Sequence, residues 1–346
     1  MAVDARVVGI AGTAKNTGKT TALNAILAAA HPRGVAVAVT SIGYDGEAVD
    51  NVTGLPKPRV VLPGGALATT ARSCVPPAGW EVLEATGSWT ALGEVLLVRC
   101  LEPGAIVLAG PNRRSELARV VERVQALGPS LVLVDGALNR LAPMSVASAF
   151  ILATGAARTA DIPALVREAA AMESFFRLPA RLPGRAGAPT VVHTPFPSVD
   201  ELVEASACAE DAPVEFSFLL PVHPDVLVRV THDRRLRSHV AAVTFYDPVL
   251  PLLCGDAVAM AAALQRCRER GVEVGVERPV TLAAVTASPF LPRPQGQRYV
   301  ADTVPAGALL AAFRSALRSP VVDVVAEGSE ALWEAVAAAA APGSTS

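Results

Sequence analysis

Along most of the chain, short unbroken apolar runs alternate with longer stretches of mixed polarity. Residues 7–11 (Val-Val-Gly-Ile-Ala), 105–109 and 149–153 are such runs, 34–42 is nearly one, 94–99 holds one between Glu94 and Arg99, and 131–135 is one that ends in an acid. Continuous rather than alternating hydrophobicity marks strands covered on both faces. Residues 19–30 are rich in alanine and leucine, and 116–127 repeat apolar residues at helical spacing, so both are predicted helices. Residues 60–62 read as a short strand and 66–71 as a helix after Gly64-Gly65. Strands alternating with helices predict βαβ units, and hence an α/β fold with a mostly parallel sheet flanked by helices.

The stretch 177–190 is rich in Pro, Gly and Arg and reads as a boundary loop. It predicts two domains, 1–185 and 186–346. The second keeps the α/β pattern, with strand-like runs at 214–220, 241–245, 281–286 and 321–325 and helical stretches at 256–270 and 306–318. The alanine-rich tail 335–346 ends in Pro-Gly-Ser-Thr-Ser and is expected to fray.

The first apolar run leads into Gly12-Thr13-Ala14-Lys15-Asn16-Thr17-Gly18-Lys19-Thr20-Thr21 and then into the first helix. Strand, loop closed by Gly-Lys-Thr, and helix is the context of a phosphate-binding loop. Backbone N–H groups at a helix start form an anion nest, and the helix dipole favours negative charge there. Lys19 is expected to reach the β- and γ-phosphates of ATP and the Thr20 hydroxyl to sit on Mg²⁺. The usual first glycine is Thr13 here, with Gly12 one place early. The chain is therefore expected to be a P-loop NTPase, and no Asn-Lys-x-Asp guanine signature opposes ATP.

Composition narrows the setting. The net charge of −2, without a basic block, argues against nucleic acid as a partner. The uncharged stretch 141–157 is interrupted by Pro143, Ser145, Ser148 and Thr154, which argues against a membrane span. The N-terminal run lacks a basic region, so no signal peptide is expected and a cytoplasmic protein follows. Of the chain's three lysines (Lys15, Lys19 and Lys57), two sit in the loop. There a compact ammonium serves better than a guanidinium. The five cysteines (Cys74, Cys100, Cys208, Cys254, Cys267) show no metal or disulfide spacing and read as buried free thiols.

The run 131–135 ends in Asp135, the acid expected to hold Mg²⁺ beside the phosphates; capping of a following helix is the other reading. Asp45 and Glu47 follow the second strand, where one carboxylate suffices to position an attacking water, although a solvated turn would look the same. Lys15 either adds positive charge or is a surface side chain. Asn112 and Arg113, and the segment Gly155-Ala156-Ala157-Arg158, follow strand ends where ligands bind in open α/β sheets.

The loop length, with Gly12-Thr13 and Gly18-Lys19-Thr20, resembles the dethiobiotin synthetase and MinD class of P-loop proteins. The MinD signature lysine would fall at Ala14, and the substrate-binding Lys-Pro of dethiobiotin synthetase is replaced by Ser41-Ile42-Gly43-Tyr44-Asp45. Four motifs together, GTAKNTGKTTALN (12–24), TSIGYDGE (40–47), VTGLPKPR (52–59) and VDGALNR (134–140), are similar to the small ATP-binding subunit of the lysine 5,6-aminomutase reactivase. That resemblance implies a chaperone-like ATPase working with a second ATPase subunit to exchange damaged cobalamin on a cobalamin-dependent aminomutase. A homodimer is compatible with it. A biosynthetic phosphotransferase of the dethiobiotin-synthetase kind and a nucleotide-sensing subunit are the rival expectations.

Overall fold

The strand Arg6–Gly12 lies inside a nine-stranded sheet, with five of its last six residues less than 1% exposed or glycine and the sixth, Val7, buried as well. The computed structural model describes residues 6–45, 55, 58–137, 146–182, 189–192, 195–206, 213–237, 239–296 and 298–339. The sheet order is Val321–Val322, Thr281–Ser288, Ala149–Gly155, Arg6–Gly12, Leu131–Ala137, Val37–Ser41, Leu67–Ala71, Gly93–Cys100 and Trp80–Thr90. The first seven pair in parallel, and the last two add antiparallel at one edge. The chain is thus α/β with a large, mostly parallel sheet. Among the described residues, no helix is long and apolar enough to cross a membrane.

One face of this sheet carries the helices Lys19–Ala30 and Val324–Ala339. Val8, Ile10, Val39, Leu133 and Ile151 from the strands meet Leu23, Ile26, Leu332 and Val336 from the helices in one apolar cluster. Burying each such side chain fully contributes roughly 1.5–3 kcal/mol. Ala22, Ala25, Ala29 and Ala30 let the first helix approach closely. The helix Arg114–Ala126 buries Leu117, Val120, Val121 and Val124, the single stripe that its helical spacing predicts.

Several sequence expectations change. Residues 66–71 form the strand Leu67–Ala71, not a helix, because this run is buried on both faces. Its β-branched Thr69 and Thr70 are satisfied laterally: Thr69 Oγ1 pairs with Thr40 Oγ1 at 2.7 Å, and Thr70 Oγ1 donates to the Val107 carbonyl at 2.7 Å. The run 105–109 splits into Gly104–Ile106 and Leu108–Gly110, which pair with different strands, Val60–Leu62 and Gly43–Asp45. Trp80–Thr90 escapes pattern reading because only Ser88 in it is buried and its register shifts twice. In the predicted run 321–325, only Val321–Val322 is strand; Asp323 Oδ1 then accepts the N–H groups of Val325 and Ala326 and starts the last helix. Gly328 (φ 84°) kinks it, and the segment beyond the kink is helical through Ala339.

The chain divides into two compact units, Met1–Val166 with Thr281–Ser346, and Arg167–Val280. The sequence places one break at 185/186; here the chain leaves the first unit and returns to it. Strand Thr281–Ser288 pairs with Ala149–Gly155, which returns the chain from residue 281 onward to the first unit. The second unit holds four parallel strands in sequential order, Pro189–Val192, Val214–Phe218, Val240–Phe245 and Glu273–Val276. On one face Phe218 stacks on Phe245, and Phe216 lies tilted against Phe218. The alternate residues put Glu215, Ser217 and Thr244, all buried, on the other.

Candidate functional site

The loop after Arg6–Gly12 is closed by its own atoms. A Cβ on Gly12 would lie 2.8 Å from Thr17 Oγ1, which itself donates to the Ala14 carbonyl at 2.9 Å. Thr13 ties the loop to the neighbouring strand: its N–H donates to the Ala153 carbonyl at 2.9 Å and its hydroxyl to Thr154 Oγ1 at 3.0 Å. Asn16 (φ 63°) and Gly18 (φ 87°) take the left-handed conformation that turns the chain into the helix Lys19–Ala30. Gly18 occupies the N-cap, no side chain caps the helix, and its first turn carries no acid. The positive end of the helix dipole is therefore left without a negative side chain of its own.

Into this position the sheet delivers Asp135. It lies opposite Ile10 in register, on the strand beside Arg6–Gly12, and is 1% exposed. Its carboxylate Oδ2 accepts from Lys19 Nζ at 2.9 Å, across 116 residues of sequence. The lysine side chain is 16% exposed. The Asp135 carbonyl accepts the Ile42 N–H at 2.8 Å, so the end of Val37–Ser41 is anchored to the same residue. Thr20 is buried and Thr21 half-buried in the first turn, while Lys15 is exposed and Asn16 half-buried.

The remaining expectations divide. The backbone of Asp45 ends the strand Gly43–Asp45, pairing with Leu108. Glu47 lies outside the described residues, as do parts of the motif segments 52–59 and 134–140. Asn112 and Arg113 are exposed, and Arg113 takes the N-cap position of the helix Arg114–Ala126, the helix-starting role. Gly155 and Ala156 come close to the loop through Ser288, a residue that the sequence did not single out. The Ala156 N–H donates to the Ser288 carbonyl at 2.9 Å, and a Cβ on Gly18 would lie 3.4 Å from Ser288 Cβ. No local signal marks Ser288, since only pairing of Thr281–Ser288 with Ala149–Gly155 brings it there.

Cys100, Cys254 and Cys267 are buried and Cys74 is half-buried, all as free thiols; Cys208 lies outside the described residues. Burial pushes the thiols of Cys254 and Cys267 up to about 11. Among the described residues, no group of three or more His, Cys, Asp or Glu side chains is arranged to hold a metal ion. A family model does not match this chain, and neither does any curated protein.

Proposed function

We propose that the loop 12–21 binds the phosphates of ATP with Mg²⁺, and that the chain is a P-loop ATPase. The observation that carries this reading is the Lys19–Asp135 pair, an ammonium and a buried carboxylate at the start of an uncapped helix. The donor set fits both groups. A phosphate would find the first-turn N–H groups and Lys19, and Mg²⁺ accepts one or two protein oxygens with waters and phosphate completing its shell. Asp135 and Thr20 supply such hard oxygens. Asp135 and Thr20 would hold the metal, which would supply charge neutralisation, and Lys19 would pair with the phosphate in place of Asp135. Asp45, or Glu47, would position the attacking water.

The wider assignment rests on the motif resemblance. In it the chain is the small subunit of a reactivase, acting with a second ATPase subunit on a cobalamin-dependent aminomutase in the cytoplasm. ATP serves to change a partner's conformation, so hydrolysis by the chain alone is slow.

Calorimetry with Mg-ATP tests the first part. Lys19→Met should weaken binding by about two orders of magnitude, the worth of a charged contact of roughly 3 kcal/mol. Asp135→Asn should reduce the Mg²⁺ dependence and spare metal-free binding. Unchanged affinity in Lys19→Met ends the proposal. Phosphate release with and without the aminomutase and second subunit tests the wider part. Stimulation that Asp45→Asn abolishes, with ATP binding retained, supports it. A phosphorylated small molecule without any response to protein would assign a biosynthetic phosphotransferase instead.

A further inference from the structure

Directly after Ser288 and Pro289 the chain forms a hairpin, Phe290–Gln295 with Arg298–Thr303, which is a sheet of two strands by itself. Its two edges are not equivalent. Pro292 and Pro294 have no N–H, so the ladder runs through Leu291, Arg293 and Gln295, opposite Asp302, Val300 and Arg298. Backbone groups alternate between the two sides of a strand. Both prolines therefore face outward and leave that edge poor in donors, a recognised way of blunting a sheet edge.

The same alternation turns the backbone groups of Tyr299, Ala301 and Thr303 outward on the other edge. The Thr303 N–H is taken by Asp302 Oδ1 at 2.8 Å, which ends the open stretch. Tyr299 and Ala301 keep their N–H and C=O groups toward solvent, and residues 298–301 are exposed. No proline, lysine or bulge blunts this edge.

We propose that this edge pairs with the same edge of a second copy of the chain, antiparallel about a two-fold axis at Val300. In that register Tyr299 and Ala301 exchange backbone bonds across the axis, and Val300 faces Val300. Arg298 of each copy then faces Asp302 of the other. The sequence Arg298-Tyr-Val-Ala-Asp302 is thus complementary to itself in charge, which selects a second copy over an unrelated strand. Asp302 already pairs with Arg293 of its own hairpin, so each carboxylate would lie between two guanidinium groups. On the opposite face, Pro292, Pro294, Tyr299 and Ala301 form an apolar strip that becomes continuous across four strands. The pairing does not depend on what the loop 12–21 binds.

Sedimentation equilibrium of the full chain, and disulfide trapping, test it. The wild type should be dimeric at roughly 100 μM, a concentration suited to an interface below the standard size. Ala301→Pro should shift it to monomer, and in dilute solution, where both proteins are monomeric, the melting temperature should be unchanged, since Ala301 lies outside the hairpin's own ladder. Cα atoms of a directly opposed, non-hydrogen-bonded pair lie about 4.5 Å apart, within disulfide reach. Val300→Cys should therefore form a covalent dimer on mild oxidation, roughly tenfold or more faster than Tyr299→Cys and than the wild type with its native thiols. A monomeric wild type overturns the proposal. So does a dimer that survives Ala301→Pro and crosslinks no faster through Val300→Cys than through Tyr299→Cys.

Discussion

Lys19 Nζ lies 2.9 Å from Asp135 Oδ2, joining the first residue of a helix to the strand beside the one that precedes it. The two ends of this contact are unequally buried, at 16% and 1% side-chain exposure. Deleting either partner therefore has different consequences for the fold. Lys19→Met strips the ammonium from a carboxylate in the protein interior, and a cost of about 3–5 kcal/mol is expected. Asp135→Asn should cost less, because Lys19 can turn its ammonium to water. The double variant should recover part of the loss, with a coupling of roughly 0.5–3 kcal/mol. Urea denaturation of the four proteins measures it; costs that simply add would mean that the contact carries no coupling.

Glycine-to-alanine substitutions should have opposite signs at two places. At Gly155, a Cβ would lie 2.0 Å from the Ser288 carbonyl oxygen and 2.8 Å from its C and N, all backbone atoms. Gly155→Ala should cost more than about 4 kcal/mol or prevent folding. Gly307 lies in the helix Ala306–Ala316, where an added Cβ would meet nothing within 4 Å. Gly307→Ala should stabilise by roughly 0.5–1 kcal/mol. Thermal melts of both variants decide it.

In the second unit, Arg181 pairs with Glu215 at 3.2 Å and with Glu273, and Glu215 also accepts from Thr244 Oγ1 at 3.2 Å. Glu215 is fully buried. Arg181→Met should cost roughly 3–5 kcal/mol, since it leaves that carboxylate without its guanidinium. Arg181→Met with Glu215→Leu should recover most of it, because a pair removed together leaves no buried charge. Chemical denaturation of single and double variants checks the recovery.

Alkaline pH should weaken the fold through its buried thiols. For Cys254 and Cys267, burial raises the folded value from an ordinary 9.0 to about 11. The folded chain then holds protons that the unfolded chain releases, so stability is intact below about 9 and falls as pH rises toward 11. Each thiol contributes at most about 2–3 kcal/mol to that loss. Cys267→Ala should be destabilised at pH 8 by its cavity, yet show a shallower decline by pH 10.5. Parallel curves for wild type and variant would refute it.

What the sequence determined by itself was local. Continuous apolar runs gave the strands Arg6–Gly12, Leu131–Ala137 and Ala149–Gly155, because parallel strands covered on both faces need no polar alternation. The Gly-Lys-Thr spacing placed Lys19 at the head of a helix, and an apolar run ending in an acid marked Asp135. The tertiary structure alone decided pairing. Nothing near Thr281–Ser288 says that it joins a strand more than a hundred residues earlier, so the unit boundaries and Ser288 beside Gly18 were invisible. It also overruled local propensity at Leu67–Ala71, where alanine and leucine favour a helix but two flanking strands supply ladder bonds on both sides. Periodicity reports which faces are buried; which element buries them is set by chain-wide packing, and no short window contains it.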